Sequence, residues 1–197
     1  MFWLALGYPL LAHLAVVFGD ARLQWLALVW VLTLSMWGAL AARRGWAWLV
    51  LAVGAALLYR LVVLGHGLYA LYVPPALIPA ALFILFARTL RPGEMPLIAK
   101  IATAMRGEPL PPPLVVYTRH VTQFWCGVFI VMFLSALVLA IWAPPSVWSL
   151  MTNAVHYLIL GAVFVVEFIY RRMRFGALEP WGLFEYLRRL VRTNIRM

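Results

Sequence analysis

Ser149, Asn153, His156 and Glu167 fall on one helical face of a single apolar stretch, with Leu160 and Val163 completing the line at spacings of three and four. A hydroxyl, an amide, an imidazole and a carboxylate on one face could relay a proton, hold a polar group of a substrate, or hydrogen-bond to neighbouring helices. His156 and Glu167 are not a catalytic pair, because eleven residues at about 1.5 Å each put them roughly 16 Å apart along the axis. Arg171 follows Glu167 by four, the spacing of an ion pair on one helix. A second group, Arg88, Arg91 and Arg119, offers guanidinium forks of the kind that bind phosphate or carboxylate, as an anion or partner dock. A third, Arg60, His66 and Tyr69, would suit an anionic head group at an outer mouth, although Arg60 could equally snorkel to the membrane surface.

Metal and cofactor chemistry is not expected. Cys126 is the single cysteine, which excludes a disulfide framework and a thiolate metal cluster. His13, His66 and His156 lie on different predicted helices, so paired haem ligands do not follow from them. Motifs for zinc hydrolysis, nucleotide phosphates or a nucleophile elbow are absent.

The elements that must position these groups are membrane helices. With 66% hydrophobic and 11% charged residues, the chain has too little polar surface to cover a soluble core. Its mean hydropathy of +0.95 agrees. A bilayer core of about 30 Å needs roughly 20 apolar residues per helix. Six stretches approach that length: 2–18, 23–42, 46–64, 68–87, 121–143 and 147–170. The prediction is an all-α polytopic membrane protein, one integral membrane domain over 1–197.

The loop 88–120 is the long polar interruption, and it carries Arg88, Arg91, Lys100, Arg106 and Arg119. Leu97, Ile98, Ile101 and Met105 predict an amphipathic interfacial helix within it, ended by Gly107. Pro109 and Pro111–Pro113 predict a stiff extended strut into the fifth span. A tail over 171–197 is expected to form a second amphipathic helix, with Phe184, Leu187 and Val191 opposite Arg188, Arg189, Arg192 and Arg196. Pro74, Pro75 and Pro79 should kink or partly unwind the fourth span. Only Arg22 and Arg60 fall on the charge-poor side, so the positive-inside rule places both termini and the loop in the cytoplasm. That distribution, with attraction to anionic lipid, accounts for the net charge of +10 without a nucleic-acid partner.

The runs Ala70-Leu71-Tyr72-Val73-Pro74-Pro75, Phe86-Ala87-Arg88-Thr89-Leu90-Arg91-Pro92-Gly93 and Pro96-Leu97-Ile98 form one recognisable pattern. It continues through Tyr117-Thr118-Arg119, Val121-Thr122, Trp125 and Trp148-Ser149 with Asn153, and ends in Glu167-Phe168-Ile169-Tyr170-Arg171-Arg172. Over about 70–175 it resembles an uncharacterised bacterial inner-membrane protein family found in aryl-polyene and xanthomonadin-type biosynthetic gene clusters. His120 stands where another basic residue is expected. The resemblance implies a setting beside acyl carrier proteins, ketosynthases, acyltransferases and export proteins, and transfers no catalytic residues. The expectation is an inner-membrane accessory protein assisting biosynthesis, handling or transport of an aryl-polyene-type lipid, with membrane lipids and acyl carrier proteins as partners. An integral-membrane enzyme acting on a lipid or acyl chain, and a small transporter or flippase subunit, are the alternatives.

Overall fold

The protein is described by a computed structural model covering residues 2–176 and 188. Among these residues the structure is helical with no strand: α1 (Phe2–Phe18), α2 (Ala21–Ser35), α3 (Trp37–Ala41), α4 (Gly45–Val63), α5 (Gly67–Arg88), α6 (Leu97–Arg106), α7 (Pro112–Trp142), α8 (Pro145–Leu150) and α9 (His156–Phe175). A π-helical turn, Met151–Val155, joins α8 to α9, so Pro145–Phe175 runs as one helix of 31 residues. It is an all-α polytopic membrane protein, in which α4, α5, α7 and the α8–α9 helix are long and apolar enough to cross a bilayer. At 15 residues, α2 reaches only about 22 Å, short of the roughly 30 Å hydrocarbon core. The amphipathic tail expected over 171–197 lies, past Gly176 and apart from Arg188, outside the described residues.

Three expectations need correction. The second span breaks at Met36, which caps both α2 and α3. Ser35 Oγ donates to the Leu32 carbonyl at 2.7 Å, which also accepts the ordinary helical bond of the Met36 N–H, and Met36 itself leaves the helical region at a φ of −103° and a ψ of 5°. The proline strut is shorter than expected, since Pro109 and Pro111 lie outside the helices and Pro112 and Pro113 do not. Helix α7 begins at Pro112, because the first turn of a helix has no use for the N–H groups that Pro112 and Pro113 lack. Tyr117, Arg119 and His120 are therefore helical. Third, α5 does not unwind at Pro74, Pro75 and Pro79 but is helical across them. Pro75 frees the carbonyl of Leu71, four residues before it, and Tyr8 donates its hydroxyl there in a long 3.5 Å contact. Tyr8→Phe should cost about 0.6 kcal/mol, the average for an interhelical hydrogen bond in a membrane, and lower the thermal midpoint in detergent slightly.

The chain divides into two compact units, and α5, α7 and α9 each contribute to both. In the unit of residues 1–78 and 133–158, α1 packs on α2, α8 and the π turn, and α2 packs on α4. Ala12, Ala15 and Ala27 are fully buried, the small side chains that let membrane helices approach closely. Trp25 Nε1 donates to the Ala55 carbonyl at 2.9 Å, tying α2 to α4. Gly65, at a φ of 83°, ends α4 in the left-handed conformation, whereas Arg43 takes the same region at 54° with an ordinary side chain.

In the unit of residues 79–132 and 159–197, α6 is pinned at its first turn. Thr89 Oγ1 accepts from the Leu97 N–H at 2.9 Å, and Thr122 Oγ1 from the Ile98 N–H at 3.4 Å. These hydroxyls satisfy donors that no helix can satisfy internally. Gly107, at a φ of 75°, closes the helix as expected. Its buried residues are Leu97, Ala99, Ala102 and Met105; Ile98 and Ile101 are only half-buried, so the inward side is shifted from the expected one.

Candidate functional site

Ser149 and Asn153 sit where one turn of helix should place them. Asn153 Nδ2 donates to Ser149 Oγ at 3.2 Å, and Ser149 Oγ also pairs with His13 Nδ1 of α1 at 3.1 Å. The π turn then widens the helix, with the His156 N–H bonding the Met151 carbonyl five residues back. His156 finds its partner on α7 instead, Ser135 Oγ at 3.0 Å from Nε2. The predicted polar face is thus resolved into two serine–histidine contacts. Ser149 is 0% exposed and already holds two hydrogen bonds, so its hydroxyl ties helices together rather than meeting a substrate. Beside it, Trp148 is also wholly buried, with its ring 4.2 Å from that of Tyr72. Trp148 Nε1 and Asn153 Oδ1 are buried without a hydrogen-bond partner among the described residues.

Glu167 belongs to the other unit. Its Oε1 lies 3.1 Å from Arg171 Nε, the i,i+4 pair that the spacing predicts, and accepts from the Tyr117 hydroxyl at 3.1 Å. Arg171 is 5% exposed, and its guanidinium also lies 5.7 Å from the centre of the Phe168 ring. Tyr117, on α7, is held by the rings of Tyr170 and Phe175. The carboxylate, guanidinium and phenol form a structural cluster that links α7 and α9.

Around the end of α5, Arg88 and Arg91 come together as predicted. With Thr89, Glu94, Lys100, Leu85 and Leu97 they line a cavity of about 360 Å³. Glu94 pairs with Lys100 at 3.4 Å across exposed side chains, a weak contact. Arg119 does not line this cavity: its Nη2 donates to the Leu90 carbonyl at 3.0 Å and secures the turn after α5. A neighbouring cavity of about 190 Å³ is lined by Phe86, Ile98, Ile101, Val121, Trp125, Phe129, Phe164 and Glu167. The rings of Trp125 and Phe129 lie 5.6 Å apart within it.

At the expected outer mouth, His66 and Tyr69 are in ring contact at 6.3 Å, and Tyr69 leads on to Tyr72 at 6.3 Å. Arg60 is exposed, and no hydrogen bond or ion pair among the described residues ties it to them. Among the described residues no three His, Cys, Asp or Glu side chains converge.

Several members of these clusters are invisible to spacing. His13, Ser135 and Tyr117 join them from other helices, and Glu94 and Lys100 meet across a turn that has no helical period. No protein-family profile, no curated protein and no solved structure matches the chain.

Proposed function

We propose that the protein is an inner-membrane accessory component that assists assembly, handling or transport of an aryl-polyene-type lipid, and that its basic cavity docks an anionic acyl donor or acyl carrier partner. The observation that carries this reading is the cavity at the end of α5, where Arg88, Arg91 and Lys100 are opposed only by Glu94. Guanidinium groups present several donors in a fixed plane, and such donors match phosphate and carboxylate oxygens. Its volume, about 360 Å³, lies within the range of roughly 300–1,000 Å³ usual for small-molecule sites.

Charge supports an orientation. Read as six passes, the chain puts all Lys and Arg residues except Arg22 and Arg60 on one side, which supports a cytoplasmic place for that side, both termini and the basic cavity. The resemblance over 70–175 includes Arg88, Arg91 and Leu97 and supports the lipid setting.

Cells lacking the protein should lose most of the pigment lipid. A chain carrying Arg88→Ala, Arg91→Ala and Lys100→Ala, inserted at wild-type level, should restore less than about a tenth of it, since a loss of roughly 1.4 kcal/mol in binding is already tenfold. Full restoration by the triple variant removes the docking role, and normal lipid in the null strain removes the function itself.

A further inference from the structure

The basic and aromatic cavities are built from the same two helices. At the end of α5, Arg88 and Thr89 line the basic cavity and Phe86 the aromatic one. On α6, Lys100 and Leu97 line the first, Ile98 and Ile101 the second. At about 100° per residue, Lys100, Leu97, Ile101 and Ile98 follow one another around one side of α6, so the cations give way to the apolar wall without an interruption on that helix. The two cavities lie side by side along α6, one cationic and the other aromatic.

That arrangement explains the shifted face of α6. Ile98 and Ile101 are half-buried although Ala99 and Ala102 beside them are buried, which leaves the larger apolar side chains lining a space rather than filling the core. Glu167, the one charged group in the aromatic cavity, is engaged by Arg171 and Tyr117, so it does not make that end a cation site.

We infer that the two cavities act as one recess that binds a single anionic amphiphile: a phosphate-bearing lipid with its head group on Arg88, Arg91 and Lys100 and the first part of its chain against Phe86, Ile98, Ile101 and Trp125. The inference rests on the basic cavity being an anion dock and adds the occupant. Neither end accounts for the whole recess: a free anion leaves the aromatic cavity unused, and an uncharged lipid leaves three cations opposed by one carboxylate. The aromatic cavity, about 190 Å³, has room for a segment of one chain.

Trp125 reports the chain directly. The protein in maltoside detergent is titrated with lysophosphatidic acid bearing a dibrominated chain, which quenches tryptophan on contact. Saturable quenching is expected, with the saturable part lost in Trp125→Phe. Arg88→Gln with Arg91→Gln should weaken binding at least tenfold, and Lys100→Gln severalfold, while Arg43→Gln with Arg44→Gln leaves it unchanged. The same brominated chain on a phosphocholine head should bind at least tenfold more weakly.

Unchanged affinity in the Arg88/Arg91 variant, or undiminished quenching in Trp125→Phe, overturns the inference. Competition by glycerol 3-phosphate at the concentration of the lipid makes the site one for a free anion and also overturns it. Capture of an acyl carrier protein through Arg88 and Arg91, with no saturable lipid binding, does the same and leaves the docking reading intact. Failure of the docking reading is seen separately, in the cells.

Discussion

Replacing Arg171 by Met should destabilise the protein by about 3–5 kcal/mol, the cost of leaving a buried carboxylate without its cation. Glu167 sits 3.1 Å from the Arg171 guanidinium, and Tyr117 alone cannot neutralise it. A loss of this size exceeds that of an exposed ion pair, for which about 0–1 kcal/mol is usual, because both partners are largely screened from solvent, with side chains 6% and 13% exposed. The double variant Arg171→Met with Glu167→Gln should recover much of the loss, since the neutral amide still accepts from the Tyr117 hydroxyl and no charge remains buried. Equilibrium unfolding in mixed detergent with SDS, read by circular dichroism, measures both. An Arg171→Met midpoint equal to that of wild type would show that water reaches Glu167 freely and that the cluster is not closed.

The second large effect belongs to Trp148. Truncation to Ala should cost about 3–5 kcal/mol, as for other large aromatic residues cut back in a packed interior. In a membrane the loss comes from dispersion contacts rather than from transfer out of water, because lipid is itself apolar. Trp148 is wholly buried against Tyr72 and immediately precedes Ser149, which is tied to α1 through His13. Trp148→Phe is the informative companion. It keeps a ring in the space and removes the buried Nε1 donor that has no partner, so it should cost well under half as much as the alanine variant. Equal losses for Phe and Ala would mean that the indole nitrogen, not the ring, sustains the packing.

The limits of several helices are legible from composition because apolar runs end where the chain changes character. Gly45, Gly65–Gly67 and Arg88 bound α4 and α5 within a residue of the expected limits. Hydropathy marks where a helix can enter lipid, not where it starts. Helix α7 therefore begins nine residues before the apolar run at Val121, since Tyr117, Thr118, Arg119 and His120 contain no helix breaker. Its 31 residues span about 46 Å, well beyond the hydrocarbon core. The Met36 break and the π turn are local changes of backbone conformation, for which apolar periodicity carries no signal.

The same distinction holds for the sites. Ser149 with Asn153, and Glu167 with Arg171, are one helical turn apart and so readable from spacing. Arg88 and Arg91 stand together for a similar local reason. Tyr117 reaches Glu167 from fifty residues away, and His13 reaches Ser149 from the first helix, contacts that only tertiary packing creates. Arg119 looked like a member of the basic group by type alone, and the rotation of α7 gives it to a backbone carbonyl instead.

The two threonine pins on α6 bear on how the chain is made. Thr89 leaves the ribosome before α6 and Thr122 after it, yet their hydroxyls meet adjacent amides of its first turn. Synthesis can therefore deliver α6 only half-fastened, and the second pin waits until the polypeptide has entered the following span. Nascent chains stopped shortly after Arg106 should hold this segment loosely at the membrane surface, and chains extended past Thr122 should lock it, so the recess beside α6 matures only as α7 is inserted.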